Sequence, residues 1–176
     1  MIRTEIAELL SDRKRLIENL VLIENKDRQL VPFILNPIQR DMLATSTARD
    51  VYVKPASVGG TSLITCDFLL DCLMVKGTTS VIISYSEFIT GRLLRKAQTL
   101  YDSLLQRVPS LPKLHHKSTY EKTFTFEDRL GVKQGESSFY IASAQSFSMP
   151  RGEPIHNLLL DELAFWPSGT IAEAFA

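Results

Sequence analysis

A chain of 176 residues and 19.8 kDa, 44% hydrophobic and 23% charged, carries enough apolar material for one well-packed domain and too much for a disordered segment. Twenty Lys+Arg balance twenty Asp+Glu, so no global positive field marks a nucleic-acid binder, and any such surface has to be local. Two cysteines, Cys66 and Cys72, without CxxC or HxxxH spacing exclude a disulfide framework and a zinc-stapled fold, and a reducing compartment is the default.

The early carboxylates Glu5 and Glu8 do not suit a signal peptide, and Ile2, Ile6, Leu9, Leu10, Ile17 and Leu20 follow helical spacing, predicting an amphipathic N-terminal helix. The polar break Glu24 to Arg28 precedes the apolar stretch Leu30 to Leu35. Asn36 then caps a short helix with Pro37 in its first turn. Val51-Tyr52-Val53 reads as a short strand, followed by a loop from Lys54 to Gly60 and a helix from Thr61 to Val75. That helix is apolar nearly all round, with Asp67 and Asp71 forming its one acidic face, so it is expected to lie buried against a sheet; the two carboxylates also keep it from serving as a membrane span. Ser80 to Ser84 reads as a fully buried parallel strand, and Leu93, Ala97, Leu100 and Leu104 as the core face of a further helix. His115-His116 falls in a Pro-flanked polar loop. Thr123 to Phe126 and Ser138 to Ala142 read as strands around a Gly131 to Gly135 turn, and Ile155 to Leu160 as a buried strand ending in Asp161-Glu162. This order predicts an α/β fold whose mostly parallel sheet carries helices on both sides.

Four segments carry chemistry. Lys54-Pro55-Ala56-Ser57-Val58-Gly59-Gly60-Thr61-Ser62 lies between strand and helix, where a P-loop would cradle phosphate with backbone N–H groups, neutralise it with lysine and bind magnesium with a hydroxyl. Gly59 and Thr61 match GxxxxGK[ST]. Gly60 replaces the lysine, and Lys54 stands at the first glycine, from which a long ammonium can enter the phosphate site. Leu158-Leu159-Leu160-Asp161-Glu162 places two carboxylates at the C-terminal end of a strand, the ligand-binding edge of open parallel sheets. There the first carboxylate suits a magnesium shell and the second suits polarising a water. Gln39 carries an amide able to donate to and accept from an adenine edge. Arg151, beside Gly152, suits delivery of a guanidinium to a phosphoryl group, in cis or from a neighbour. Singly, each has a bland alternative: a glycine turn, a helix cap, a solvated glutamine, a surface turn.

Together, Pro37-x-Gln39, the loop with Lys54, Arg151-Gly152 and Leu158 to Glu162 resemble the ATPase domain of viral large terminase subunits, the DNA-packaging motors of tailed bacteriophages and herpesviruses. The resemblance spans residues 20 to 170 and fits the variant in which the basic residue opens the loop. It implies a P-loop NTPase of the additional-strand type, with residues 1–35 a helical lead-in and 36–176 an ATPase domain. It also implies that the coupling motif, further strands and a nuclease domain of such proteins lie outside this sequence, making the chain a fragment with little activity alone. The resemblance casts Gln39 as adenine reader and Lys54 as phosphate contact, with Ser57, Val58, Gly59, Gly60, Thr61 and Ser62 lining the nucleotide. Thr61 and Asp161 would hold Mg2+, Glu162 would act as base and Arg151 as arginine finger. The implied cofactors are ATP and Mg2+. The implied partners are double-stranded viral DNA, a portal protein, a small terminase subunit and further copies in a ring on the procapsid, with no membrane, in the host cytoplasm. A superfamily 2 helicase is the enzyme alternative, disfavoured because Leu163-Ala164 replaces its usual continuation, and an inactive nucleotide-binding or structural module is the other. Arg92, Arg95 and Lys96 read as a solvated basic face, Cys66 and Cys72 as buried apolar residues, and Phe165 and Trp166 as core cover.

Overall fold

A short N-terminal helix leads into the fold through a capped first turn, and a computed structural model describes residues 12–53, 57–118, 120–145 and 154–166. Helix α1 (Arg13–Leu20) starts at Asp12, whose carboxylate accepts from Arg15 N at 3.0 Å, and buries Leu16 and Ile17. The polar break after it is a hairpin turn. Strands β1 (Leu22–Glu24) and β2 (Leu30–Pro32) pair antiparallel, and Asn25 Oδ1 accepts from Asp27 N and Gln29 N, both at 2.9 Å. Helix α2 (Pro37–Thr45) follows, then α3 (Gly60–Met74), β3 (Thr79–Ser84) and the long α4 (Glu87–Arg107). Strands β4 (Lys113–Lys117), β5 (Glu121–Glu127), β6 (Lys133–Ser143) and β7 (Asn157–Leu160) complete the order, with a 3₁₀ turn at Leu163–Phe165.

The central sheet runs β4-β5-β6-β3-β7. β3 is parallel to both β6 and β7, in register Ile82↔Ile141 and Ile82↔Leu159, and all six of its residues are buried. The other half is antiparallel, which corrects the expectation of a mostly parallel sheet. The reason is connection length: β5 and β6 are joined by a tight turn in which Asp128 Oδ1 accepts from Leu130 N at 2.8 Å and Val132 N at 3.0 Å, and so short a link permits only antiparallel pairing. β4 takes in His115 and His116, which are exposed as expected but sit on an edge strand rather than in a loop.

The helices expected on both sides lie on one side among the described residues. Leu63, Leu69 and Leu73 of α3 and Leu93, Ala97 and Leu100 of α4 share one core with Ile82, Phe124, Phe139 and Ile141. Val81 and Ile83, pointing the other way by strand alternation, pack with Ala144 and Trp166. Among the described residues, therefore, both long helices cover one face, and the 3₁₀ segment covers the other. Trp166 closes this second core as read from the sequence, whereas Phe165 is exposed and meets Tyr85 edge-on.

Val51-Tyr52-Val53 is not a strand. Val51 and Val53 are 94% and 99% exposed, outside the sheet, so β propensity without a paired neighbour did not suffice. Both cysteines are buried as expected, and burial pushes the Cys72 thiol up to about 12 and Cys66 higher still, leaving them unreactive. The acidic face of α3 is half-buried against α1: Arg13 Nε lies 2.9 Å from Asp67, and the same guanidinium pairs with Asp71, fastening α1 to α3. Asp71 also accepts from Asn157 of β7 at 3.0 Å. Among the described residues no helix is long and apolar enough to cross a membrane.

Candidate nucleotide site

The loop before α3 is held from behind by the start of α2. Asn36 and Gln39 form a reciprocal capping box, Gln39 N donating to Asn36 Oδ1 at 2.9 Å and Asn36 N to Gln39 Oε1 at 3.0 Å. Each side chain has a second bond to the loop: Asn36 Nδ2 donates to Val58 O at 3.0 Å and Gln39 Nε2 to Gly59 O at 2.9 Å. Gln39 is only 4% exposed. Its placement makes it a clamp on the loop, with both amide atoms engaged within the protein.

This clamp explains why glycine is required at position 59. Gly59 caps α3 at φ 78°, a left-handed backbone, and a Cβ there would stand 2.7 Å from Gln39 Nε2. Ser57 is left-handed as well, at φ 64°, so the loop folds back sharply before the helix begins. Gly60 is the buried first residue of α3, whose unpaired N–H groups face the loop. Lys54 lies outside the described residues, as do Pro55 and Ala56.

From the first turn of α3 two hydroxyls reach in different directions. Thr61 Oγ1 donates to Asp161 Oδ1 at 2.9 Å, joining segments 100 residues apart in sequence. Ser62 Oγ accepts from Lys96 Nζ of α4 at 2.6 Å. Asp161 is 5% exposed and held on both sides of its Cα: its N donates to Ile83 O at 2.9 Å, continuing the β7 ladder, and its carbonyl accepts from Trp166 Nε1 at 3.0 Å. Glu162 is exposed with φ 55°, so the chain turns there, and among the described residues its carboxylate has no hydrogen bond or ion pair. Arg151 and its neighbours Pro150 and Gly152 lie outside the described residues.

The structure thus brings together Gln39, Val58, Gly59, Gly60, Thr61, Ser62 and Asp161, with Glu162 one residue beyond. Lys96 was missed as a member. Read as part of a basic face with Arg92 and Arg95, it differs from them in being half-buried, and no sequence signal separates the three. Burial pushes the Lys96 pKa below the ordinary lysine value, Arg92 pushes the same way, and Asp161 opposes both. His156 accepts from Thr79 N at 3.0 Å through Nδ1 and steadies the entry to β7.

The oxygens of Thr61 and Asp161 are hard donors of the kind magnesium takes together with water and phosphate, and the start of α3 has the polarity that anions take. These residues fit the group.

No protein-family model matches the sequence, and no curated protein matches it. Solved structures similar to it in fold include two of one phage domain. One is the large terminase ATPase domain of Thermus phage P74-26, with a TM-score of 0.70 and 16% identity, covering 79% of this chain and 57% of that one. The other is an arginine-to-alanine variant of the same domain, with a TM-score of 0.67 and 15% identity, covering 79% of this chain and 58% of the other. The chain spans a little over half the length of these neighbours. With a mixed five-stranded sheet, both long helices on one face, and a glycine loop facing a buried strand-end aspartate, this chain has the fold of a phage large terminase ATPase domain.

Proposed function

We propose that the chain is the P-loop ATPase unit of a DNA-packaging terminase, hydrolysing ATP to move double-stranded DNA into a procapsid. The observation that carries this is the Thr61–Asp161 bond of 2.9 Å, which sets a helix-start hydroxyl against a strand-end carboxylate. ATP is the substrate. Its phosphates meet the backbone N–H groups of Gly60, Thr61 and Ser62 at the start of α3, with Ser57, Val58 and Gly59 shaping the loop and Lys54 the phosphate-contacting cation at its entrance. Thr61 and Asp161 hold Mg2+, which when bound neutralises charge building on the phosphoryl oxygens.

Glu162 is the general base. Its carboxylate takes the proton of the attacking water, so that water adds to the γ-phosphorus as the bond to the bridging oxygen of ADP breaks, with no covalent enzyme intermediate. Exposed at a turn, and without a partner among the described residues, its carboxylate is available for that task. Gln39 serves the site through the loop: by fixing Gly59 O it fixes the direction of the N–H groups that follow. Arg151 is the arginine that stabilises transition-state charge, from a neighbouring copy in a ring. Portal protein, small terminase subunit and viral DNA are the partners of that ring, in the host cytoplasm.

The test is Glu162→Gln. Magnesium-dependent ATP hydrolysis should vanish while magnesium–ATP binding persists, because the amide keeps the shape and cannot take a proton. Hydrolysis at the unsubstituted rate contradicts the assignment, and an unsubstituted protein that binds ATP without hydrolysing it under any condition supports a nucleotide-binding module instead.

A further inference from the structure

We infer that Lys96, reaching across from α4, is a phosphate-binding residue of the ATP site and supplies there the positive charge that Gly60 lacks. The inference rests on the nucleotide-site reading above. It starts from the geometry: Lys96 Nζ donates to Ser62 Oγ at 2.6 Å, and Ser62 follows Thr61, whose hydroxyl meets Asp161. An ammonium, two hydroxyls and a buried carboxylate therefore line the N-terminal end of α3, where the helix's own N–H groups are unpaired.

A half-buried ammonium is stabilised most by a carboxylate set against it. Lys96 has none within ion-pair distance among the described residues, and its bonded partner is a neutral hydroxyl. The acidic residues of α3 do not serve it either, because Asp67 and Asp71 both pair with Arg13 of α1. Arg92, one turn earlier on α4, adds like charge, with its guanidinium 5.7 Å from the Phe88 ring centroid. A half-buried cation beside a second cation and a helix N-terminus is costly, and the charge of Asp161 opposes burial and Arg92 without forming an ion pair with Lys96, so a further anion would complete the group.

The anion that fits is the triphosphate of magnesium–ATP. Gly60 leaves the position that normally carries lysine without a charge, and α4 brings a cation to the helix start from the side, in addition to Lys54 of the loop. Ser62 holds the ammonium in place by its hydroxyl until a phosphate oxygen shares it.

The experiment is calorimetric titration of a magnesium complex of a non-hydrolysable ATP analogue into the 176-residue chain and its Lys96→Gln and Lys96→Arg variants, with thermal unfolding of each. Lys96→Gln should bind the analogue at least about tenfold more weakly, as loss of a charge-assisted hydrogen bond implies, with an unfolding midpoint no lower than that of the unsubstituted chain. Lys96→Arg should recover most of the affinity. Unchanged affinity in Lys96→Gln overturns the inference, as does a loss that follows unfolding and is not restored by arginine. If the unsubstituted chain binds no nucleotide at all, the ATP-site reading itself fails, and the role of Lys96 falls with it.

Discussion

Gly59→Ala probes the joint between α2 and the phosphate loop. Gly59 sits at φ 78°, where a residue with a Cβ is strained by about 1–2 kcal/mol. The new methyl would also stand 2.7 Å from Gln39 Nε2, the atom that donates to Gly59 O at 2.9 Å. A flexible amide would ordinarily swing aside at little cost, but Gln39 is buried, so moving it leaves a donor and a carbonyl unpaired, about 1–3 kcal/mol more. The sum is about 2–5 kcal/mol, which for a chain of this size lowers the unfolding midpoint by about 4–20 °C. Thermal denaturation of Gly59→Ala, Gln39→Ala and the double variant checks both parts. Removing the glutamine abolishes the collision, so the double variant should be more stable than the sum of the single losses by about 1 kcal/mol or more. A Gly59→Ala protein that melts with the unsubstituted chain, or strictly additive losses, would refute the clamp.

Gln39→Ala should weaken magnesium–ATP and magnesium–GTP binding by the same factor in a competition assay, because its amide acts on Gly59 O; a loss confined to ATP would show the amide reading adenine. Lys122 of β5 is 1% exposed, its ammonium donates to Gln98 Oε1 at 2.7 Å, and burial, with Lys117 adding to it, pulls its pKa from 10.5 to about 8. Between those two values the unfolded chain binds more protons than the folded one, so stability rises with pH across that window, and the cost of the buried charge is fully present below it. Urea denaturation from pH 7 upward should therefore show the unsubstituted chain gaining on Lys122→Met as pH passes about 8, and a flat difference would contradict a buried ammonium.

The parts of this fold that local chemistry decides were legible in the sequence. Gly59-Gly60 ahead of an apolar run marks a turn into a buried helix, Ser80 to Ser84 is a strand covered on both faces, and Leu158 to Glu162 ends a strand in carboxylates. What tertiary partners decide was not legible. Strand β4 turns only Leu114 partly inward, so an edge strand with two histidines reads as a polar loop. Val51 and Val53 have strand-forming side chains and no strand beside them. Asp67 and Asp71 mark an acidic face whose partner, Arg13, no spacing reveals, and Lys96 looks like its exposed neighbours until α4 packs against α3. The partner of Gln39, a loop carbonyl 20 residues away, is a matter of packing that no spacing encodes.

The most direct measurement is a crystal structure of the chain with magnesium and a non-hydrolysable ATP analogue. It should show phosphate density at the N-terminus of α3, a metal bound by Thr61 Oγ1 with Asp161 in its shell, and Lys96 Nζ within hydrogen-bond distance of a phosphate oxygen. Nucleotide bound elsewhere, or the Thr61–Asp161 bond intact with no metal beside it at saturating ligand, would contradict the ATP-site reading.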